Sequence, residues 1–388
     1  MYMTATQKEA SLYIHIPFCA QRCTYCDFYF VTTQRRQTEF IEALCLEIAQ
    51  TARTFPNTLL STIYFGGGTP SLMPSQAIAH ILAQICESFD ASQVDEITLE
   101  ANPEDINVPT LEELICAGIT RISLGVQSFR NADLGFMNRC HNSDQASLAC
   151  KLIQSAEFSS WSLDLIFGIP GASAKIWQDN LHRAIETQVP HISTYGLTIE
   201  PQTPLYKQVR NGFVKPVSDE HAADQFQQAI DILTSMGYEH YEISNFALPG
   251  HRAKHNTRYW QHTNYLGVGP SAHSFWWQGD KALRWQNVRS LRKYLEAVKI
   301  ADSPTVTHET LSMHDLARER VMLALRTSDG IDLDDLKNTY GLDLFAHKKE
   351  ALLQMKAQGF IVQHGSHVYL TSPGLHVCDN LTAQLWPD

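Results

Sequence analysis

The sequence lacks any apolar run long enough to cross a bilayer. Its longest apolar stretches, such as residues 163–169, are interrupted by Asp, Gly or Pro well before the ~18 residues that a membrane span requires. The first ten residues, MYMTATQKEA, also lack the basic and apolar segments of a secretory signal. We therefore expect no membrane crossing and a cytoplasmic protein.

Positive charge is in short supply. Lys and Arg number 30 against 41 Asp and Glu, so the 388-residue chain carries a formal net charge of −11. A general nucleic-acid-binding protein usually shows a basic surplus, and we predict no nucleic-acid partner. Solenoid repeats and low-complexity segments are also missing, while 44% apolar residues supply enough material for a large packed core. The composition indicates a globular protein.

Six short runs rich in β-branched and apolar residues alternate with stretches of helical periodicity in the first half of the sequence. They cover residues 11–17, 62–68, 96–102, 121–128, 162–168 and 191–200. This alternation predicts βαβ units and a parallel sheet, and the nearly continuous apolar character predicts strands buried on both faces. The sequence therefore predicts an α/β fold, either a doubly wound sheet or an incomplete barrel. Polar residues gather where these runs end, which is where parallel α/β folds place their active sites.

The second half of the sequence changes character. A helix at 219–236 and a strand at 241–247 precede a basic segment, residues 251–300, in which nine Lys and Arg face two acidic residues, a net charge of +7. The same segment holds four of the seven Trp.

From residue 305 onward the sequence predicts three helices, at 313–326, 331–340 and 344–358, and a hairpin around Gly365. This order resembles a winged-helix unit. Its net charge of −4 disfavours DNA reading, so a cap or partner surface is the better interpretation. We predict three domains, covering 1–240, 241–304 and 305–388.

Three cysteines, Cys19, Cys23 and Cys26, follow the first predicted strand with the spacing C-x3-C-x2-C. Thiolates alone select zinc or an iron–sulfur cluster. Because no fourth nearby Cys or His completes a closed structural site, we expect a centre with an open position, as reactive metal sites have. A zinc knuckle whose fourth ligand is distant in sequence is the alternative. The remaining cysteines are predicted to be small buried hydrophobic residues: Cys45, Cys86, Cys116, Cys140, Cys150 and Cys378.

The segment HIPFCAQRCTYCDF resembles the signature of the radical S-adenosylmethionine superfamily. The segments IYFGGGTPS, TLEANPE, RISLGVQSF, DLIFGIPG, YEISNFA and HNTRYW are similar, in order and spacing, to the oxygen-independent coproporphyrinogen III oxidase family and, within it, to a branch of heme chaperones. The resemblance covers about residues 11–376. It implies an incomplete (β/α)6 TIM-like barrel of the radical SAM type with a mostly helical, winged-helix-like C-terminal domain.

The resemblance also implies cofactors. Cys19, Cys23 and Cys26 would hold a [4Fe–4S] cluster whose remaining iron binds S-adenosylmethionine. Tyr13 and Glu100 would lie beside that molecule, and the glycine turn of residues 66–70, with Gly67 in it, would face its methionine end. Further positions match contacts of a second S-adenosylmethionine in the oxidases: Tyr25, Gly68, Thr69, Gln127, Arg139 and Asp164. From the residues alone, Glu100 and Asp164 could instead be polar groups satisfied at strand ends.

The HNTRYW segment matches the HNxxYW motif of the heme chaperone branch. An imidazole can ligate heme iron, aromatic rings can pack on a porphyrin, and basic side chains can pair with propionates. The predicted heme residues are His255, Asn256, Tyr259 and Trp260. The alternative is that His255 is hydrogen-bonded in a core that Trp260 merely fills. The resemblance further implies heme as cargo, an acceptor protein that could be membrane-associated, and a homodimer that depends on the cluster.

One departure bears on function. The oxidase branch has a further cysteine two residues after the third, where this sequence has Phe28, and only 18 residues precede Cys19. Both features disfavour decarboxylation of coproporphyrinogen, so we predict a heme chaperone. The oxidase is the first alternative and a zinc-stabilised winged-helix binding protein is the second. No catalytic residue is assigned.

Overall fold

The computed structural model of the chain describes residues 7–300 and 303–386. Residues 1–6, which include much of the stretch predicted to carry no secretory signal, lie outside them. No helix within the described ranges is both long enough and apolar enough to span a bilayer.

Six parallel strands alternate with helices in the first half of the chain, which confirms the predicted α/β fold. The strands are β1 (Lys8–Ile16), β2 (Thr58–Gly67), β3 (Glu96–Ala101), β4 (Arg121–Gln127), β5 (Ser160–Phe167) and β6 (His191–Gly196). The helices between them are α1 (Gln37–Thr54), α2 (Ser75–Ser88), α3 (Val108–Ala117), α4 (Asn131–Phe136), α5 (Ser143–Gln154) and α6 (Ala174–Glu186). Both faces of these strands are covered, so β4 is buried at every position except its last residue, Gln127.

The sheet continues beyond the barrel on both sides. The next elements are α7 (Pro204–Arg210), α8 (Asp219–Ser235), β7 (Glu239–Glu242), β8 (Asn245–Ala247), α9 (Lys254–Trp260), β9 (Tyr265–Val268), β10 (His273–Trp277), β11 (Lys281–Asn287), α10 (Leu291–Lys299) and β12 (Thr305–Ser312). Among the described residues the strand order is β12-β11-β10-β9-β1-β2-β3-β4-β5-β6-β8-β7. The two edge strands, β12 and β7, are not neighbours in that order, so the barrel is incomplete, as predicted.

The C-terminal unit combines helices with a small antiparallel sheet. Its elements are α11 (Met313–Leu325), β13 (Ile331–Asp332), α12 (Leu333–Tyr340), α13 (Leu344–Ala357), β14 (Ile361–His364), β15 (His367–Leu370), α14 (Ser372–Leu375) and α15 (Cys378–Leu385). Its apolar core includes Phe275, Ala282 and Leu311 from β10, β11 and β12. The unit is therefore packed directly on the extended part of the large sheet.

Some element boundaries differ from the prediction. The strand predicted at 241–247 is a hairpin with a tight turn. In that turn the Glu242 carboxylate accepts hydrogen bonds from the Ser244 backbone amide and the Asn245 side-chain amide. The helix predicted from residue 331 begins at Leu333, where the Asp332 side chain caps the amides of Asp334 and Asp335. The domain boundary predicted between 304 and 305 falls just ahead of β12, whose pairing with β11 joins it to the large sheet.

A buried carboxylate fastens the first helix to the sheet extension. Glu47 of α1 is 5% exposed, and burial raises its pKa. It accepts hydrogen bonds from the Gly269 amide at 2.7 Å, the Asn287 side chain at 2.6 Å and the Tyr294 hydroxyl at 2.6 Å. Three donors from residues far along the chain thus converge on one side chain.

We expect Glu47→Ala to lower the free energy of unfolding by at least about 3 kcal/mol, because three buried donors lose their acceptor. Urea unfolding followed by circular dichroism measures this. Glu42→Ala, on the exposed face of the same helix, is the matched control and should change stability by less than about 0.5 kcal/mol. Equal stability of the two variants would contradict the assigned role of Glu47.

Candidate functional site

A cavity of about 950 Å³ opens at the carboxyl ends of the parallel strands. Its wall includes the loop between β1 and α1, residues 17–36, here called the cysteine loop. The structure brings to this cavity Cys19, Cys23 and Cys26 and every residue predicted to contact S-adenosylmethionine: Tyr13, Tyr25, Gly67, Gly68, Thr69, Glu100, Gln127, Arg139 and Asp164. Residues from five strands and three loops, far apart in sequence, therefore share one cavity.

Backbone hydrogen bonds hold the cysteine loop against β2. The Gly68 amide donates to the Ile16 carbonyl and the Thr69 amide donates to the Phe18 carbonyl, both at 2.7 Å. A Cβ on Gly68 would lie 2.7 Å from the Phe18 carbonyl oxygen, and Gly67 has φ +111°, a conformation that favours glycine. The glycine turn is thus needed for close approach between two segments of the protein itself, in addition to any ligand.

The three thiols have the surroundings of cluster ligands. Burial raises the pKa of Cys19 to about 12 and that of Cys26 to about 11, so the thiolates require a positive charge close by, as a metal centre supplies. The Thr69 hydroxyl donates to Cys19 Sγ and Arg139 Nη1 donates to Cys23 Sγ, both at 3.5 Å. Hydrogen bonds to sulfur are a usual means of tuning an iron–sulfur cluster. Within the described ranges, no three His, Cys, Asp or Glu side chains group closely enough for a single metal ion.

Four buried polar atoms in the cavity wall have no hydrogen-bond partner among the described residues: Arg121 Nε, Arg139 Nε, Asp164 Oδ1 and His191 Nδ1. Asp164 and Arg139 belong to the predicted S-adenosylmethionine set, and Arg139 Nη2 also donates to Asn102 Oδ1 at 2.6 Å and to the Gly125 carbonyl at 2.9 Å. Buried polar groups are nearly always paired. One carboxylate oxygen and one guanidinium nitrogen are thus available to a polar, charged ligand such as S-adenosylmethionine.

Glu100 is bonded on both of its oxygens. Tyr64 donates its hydroxyl at 2.9 Å and Gly67 its amide at 3.0 Å. Burial raises the pKa of Glu100 to about 7, the Tyr64 and Gly67 hydrogen bonds oppose that rise, and the charge of Asp164 adds to it. The alternative of polar satisfaction at a strand end thus describes Glu100 better than Asp164. Gln127, at the end of β4, has φ +65°.

The four predicted heme residues divide into two pairs. Asn256 and Tyr259 line the cavity, whereas His255 and Trp260 are absent from its wall. His255 is 1% exposed, and its Nδ1 lies 2.8 Å from the Thr62 hydroxyl while its Nε2 lies 2.9 Å from the Tyr259 hydroxyl. Burial lowers its pKa to about 3. Neither ring nitrogen is free for a metal, so iron binding by His255 stays a prediction that requires α9 to open.

The basic segment is largely neutralised by carboxylates, most of which lie elsewhere in the chain. Ion pairs engage six of its nine basic residues: Arg252, Lys254, Arg258, Arg284, Arg292 and Lys299. Arg289 instead lies in the cavity wall and donates to the Asp27 carbonyl at 2.8 Å. The +7 seen in the sequence therefore does not form one continuous basic surface.

The prediction for the other six cysteines was half wrong. Cys45, Cys150 and Cys378 are buried, but Cys86 on α2, Cys116 on α3 and Cys140 in the loop after α4 are exposed. Cys140 even lines the cavity. Its position directly after Arg139 was the available signal.

The cavity wall also includes His15, His273 and Arg289, which were not predicted from the sequence. For His15, the signal was its place four residues ahead of Cys19.

The class of protein follows from this arrangement of a partial barrel, a cysteine loop after β1 and a cavity at the strand ends. The family model described as the Radical SAM superfamily matches residues 13–184, and that of the HemN C-terminal domain matches residues 311–377. The solved structure of coproporphyrinogen III oxidase (HemN) from Escherichia coli superposes with a TM-score of 0.84 at 24% identity, over 98% of this chain and 90% of that one. The chain is a radical SAM protein.

Relatives narrow this class. Heme chaperone HemW of Lactococcus lactis is 32% identical over 97% of each chain. Heme chaperone HemW of Escherichia coli is 37% identical over 68% of this chain and 69% of the relative. The chain belongs to the HemW family.

The raised pKa of Glu100 predicts a pH-dependent stability. Between pH 4.5 and 7 the folded protein holds a proton that the unfolded chain has lost, so stability falls as pH rises through this window. Glu242, whose pKa burial also raises to about 7, contributes a similar fall, so we expect Glu100→Gln to remove only the share due to Glu100 and to gain up to about 3 kcal/mol on the wild type by pH 8 relative to pH 4.5. Urea unfolding of the cofactor-free chain at several pH values measures it.

Glu112→Gln, an exposed substitution on α3, is the control and should follow the wild type at every pH. A wild-type stability that rises steadily from pH 4.5 to 8, with Glu100→Gln running parallel, would contradict the prediction.

Proposed function

We propose that this protein is a heme chaperone that binds heme and transfers it to an acceptor protein, with a [4Fe–4S] cluster on Cys19, Cys23 and Cys26 and S-adenosylmethionine on the open iron. One observation carries the cofactor part: three thiols share a cavity with an unpaired Asp164 oxygen and an unpaired Arg139 nitrogen. The heme part rests on relatives named heme chaperone HemW that match nearly the whole chain.

The chain's own residues have distinct tasks in this proposal. Thr69 and Arg139 orient the thiols by donating to sulfur. Asp164 offers a carboxylate oxygen to the cationic part of S-adenosylmethionine, and Tyr13 and Gln127 form neighbouring parts of the wall. The bound cluster and S-adenosylmethionine together supply one-electron cleavage of a sulfonium. The protein supplies position and exclusion of water.

Phe28 favours the chaperone over an oxidase. It lies in the cavity wall at the position of the further oxidase cysteine and is 71% exposed. A phenyl ring cannot act as a thiol donor or ligand there. The HemN structure is 24% identical and supports the fold alone. The identity of the acceptor stays open, and cytoplasmic location, a membrane-associated acceptor and a cluster-dependent homodimer stay predictions.

Ligation of a cluster by the three cysteines predicts the iron and sulfide content of the protein and of its cysteine variants. After anaerobic reconstitution the wild type should hold about four irons and four sulfides per chain, and Cys26→Ala should hold less than about half of that because the cluster loses one of three protein ligands. Cys116→Ala, which changes an exposed cysteine of α3, should match the wild type. Zinc without iron in the wild type would refute the cluster and favour the zinc-stabilised alternative.

A heme chaperone and an oxidase predict different results when the protein is given hemin or coproporphyrinogen III. Hemin added to the reconstituted protein under anaerobic conditions should form a stoichiometric complex with a shifted Soret band. Coproporphyrinogen III with S-adenosylmethionine and a reductant should give no protoporphyrinogen. Turnover of coproporphyrinogen would establish the oxidase, and the absence of a hemin complex would refute the chaperone proposal.

A further inference from the structure

We propose that the heme cargo binds at the rim of the cavity, between the cysteine loop and the start of β10, with His273 as the axial ligand of the iron. Arg289 pairs with a heme propionate and Phe28 packs on the porphyrin face. This inference rests on the proposed function that the chain binds heme, and it places the cargo away from the buried His255.

Three histidines of the cavity wall could offer an imidazole to heme iron. His15, His191 and His273 line it. His15 is 4% exposed and bonded at both nitrogens, to the Tyr13 hydroxyl at 3.2 Å and the Tyr29 carbonyl at 2.9 Å. His191 is 1% exposed and bonded at Nε2 to the Tyr241 hydroxyl. His273 is exposed, and the described residues include no hydrogen-bond partner for its ring. A porphyrin is too large to reach a buried imidazole, so His273 is the accessible one.

Arg289 supplies the positive charge that a heme propionate requires. Arg289 is exposed, and within the described ranges it forms no ion pair, unlike most basic residues of its segment. Its one hydrogen bond in the described part of the chain, to the Asp27 carbonyl, uses Nη2 and leaves the other guanidinium donors for a carboxylate. The His273 ring, exposed at its edge, is partly buried; this burial lowers its pKa, and the charges of Arg284 and Arg289 close to the ring lower it further.

The backbone accounts for this proximity. His273 pairs with Gln286 across the antiparallel strands β10 and β11, and Arg289 follows Gln286 by three residues. The imidazole and the guanidinium therefore share one end of this strand pair, at the cavity.

Phe28 supplies an exposed apolar surface in the same cavity wall. It directly follows Asp27, whose carbonyl Arg289 holds, and it also lines the cavity. A phenyl ring that is 71% exposed leaves apolar area in water that a porphyrin face would bury. Imidazole, guanidinium and phenyl ring thus offer the three contacts that heme needs: a bond to iron, a partner for a propionate and an apolar surface.

The experiment is an anaerobic hemin titration of the reconstituted full-length protein, read as affinity and Soret position. We expect His273→Ala to weaken hemin binding by about tenfold or more and to remove the Soret shift given by imidazole. His347→Ala, at an exposed histidine of α13, is the control. His255→Gln should keep the wild-type Soret position in its folded fraction.

Arg289→Gln should weaken hemin binding by about tenfold and leave binding of hemin dimethyl ester, which lacks propionate charges, unchanged. Arg292→Gln, at an exposed arginine of α10, is its control. Phe28→Ala should weaken both porphyrins equally.

The titration gives different results if the rim site is wrong and if the chaperone function is wrong. A wild type that binds no hemin refutes the chaperone function itself. A wild type that binds hemin while His273→Ala retains its affinity and spectrum refutes the rim site. Loss of the imidazole spectrum in His255→Gln but not in His273→Ala would move the cargo to α9 and equally overturn this inference.

Discussion

The close approach of the glycine turn to the cysteine loop is the constraint on which the rest of this structure depends. The amides of Gly68 and Thr69 bond to carbonyls on either side of Pro17, and no side chain fits at Gly68. This contact fixes the start of the loop, and with it the positions of Cys19, Cys23 and Cys26 at the strand ends. A larger residue at Gly68 would push the loop outward and separate the thiols from Thr69 and Arg139.

Much of the fold and part of the site could be predicted because their signals are local in sequence. Hydrophobic periodicity predicts the strands and helices, and the spacing of Cys19, Cys23 and Cys26 predicts that their thiols lie in one place. The errors arose where a partner lies far along the chain. The positive segment around residues 251–300 loses its charge to distant carboxylates such as Glu9 and Asp95, and no local pattern reports such pairing.

The HNTRYW segment is a second case in which a local sequence pattern does not report the surroundings of its residues. Its residues suit heme, yet helix α9 packs against β2 and β3. His255 lies between Thr62 and Tyr259, and Glu96 accepts hydrogen bonds from the first two amides of the helix. A motif gives residue types and not their accessibility. The alternative of a satisfied core histidine therefore describes the His255 geometry, while Asn256 and Tyr259 in the cavity wall keep the segment close to the site.

The proposed heme site at the cavity rim and the three cysteines proposed to hold the cluster share one stretch of backbone, which gives a physical reason for coupling between them. Arg289 holds the carbonyl of Asp27, directly after Cys26, and the Tyr29 hydroxyl accepts the Leu291 amide at 2.5 Å. Metal binding by Cys26 would restrict this stretch and so fix Phe28 relative to His273. Because ordering a side chain and its backbone costs free energy on binding, a cysteine loop already held by its cluster would bind heme more tightly than a loose one. In the proposed heme chaperone, cargo affinity and cluster occupancy would thus be linked through residues 26–29, with no contact required between the two groups.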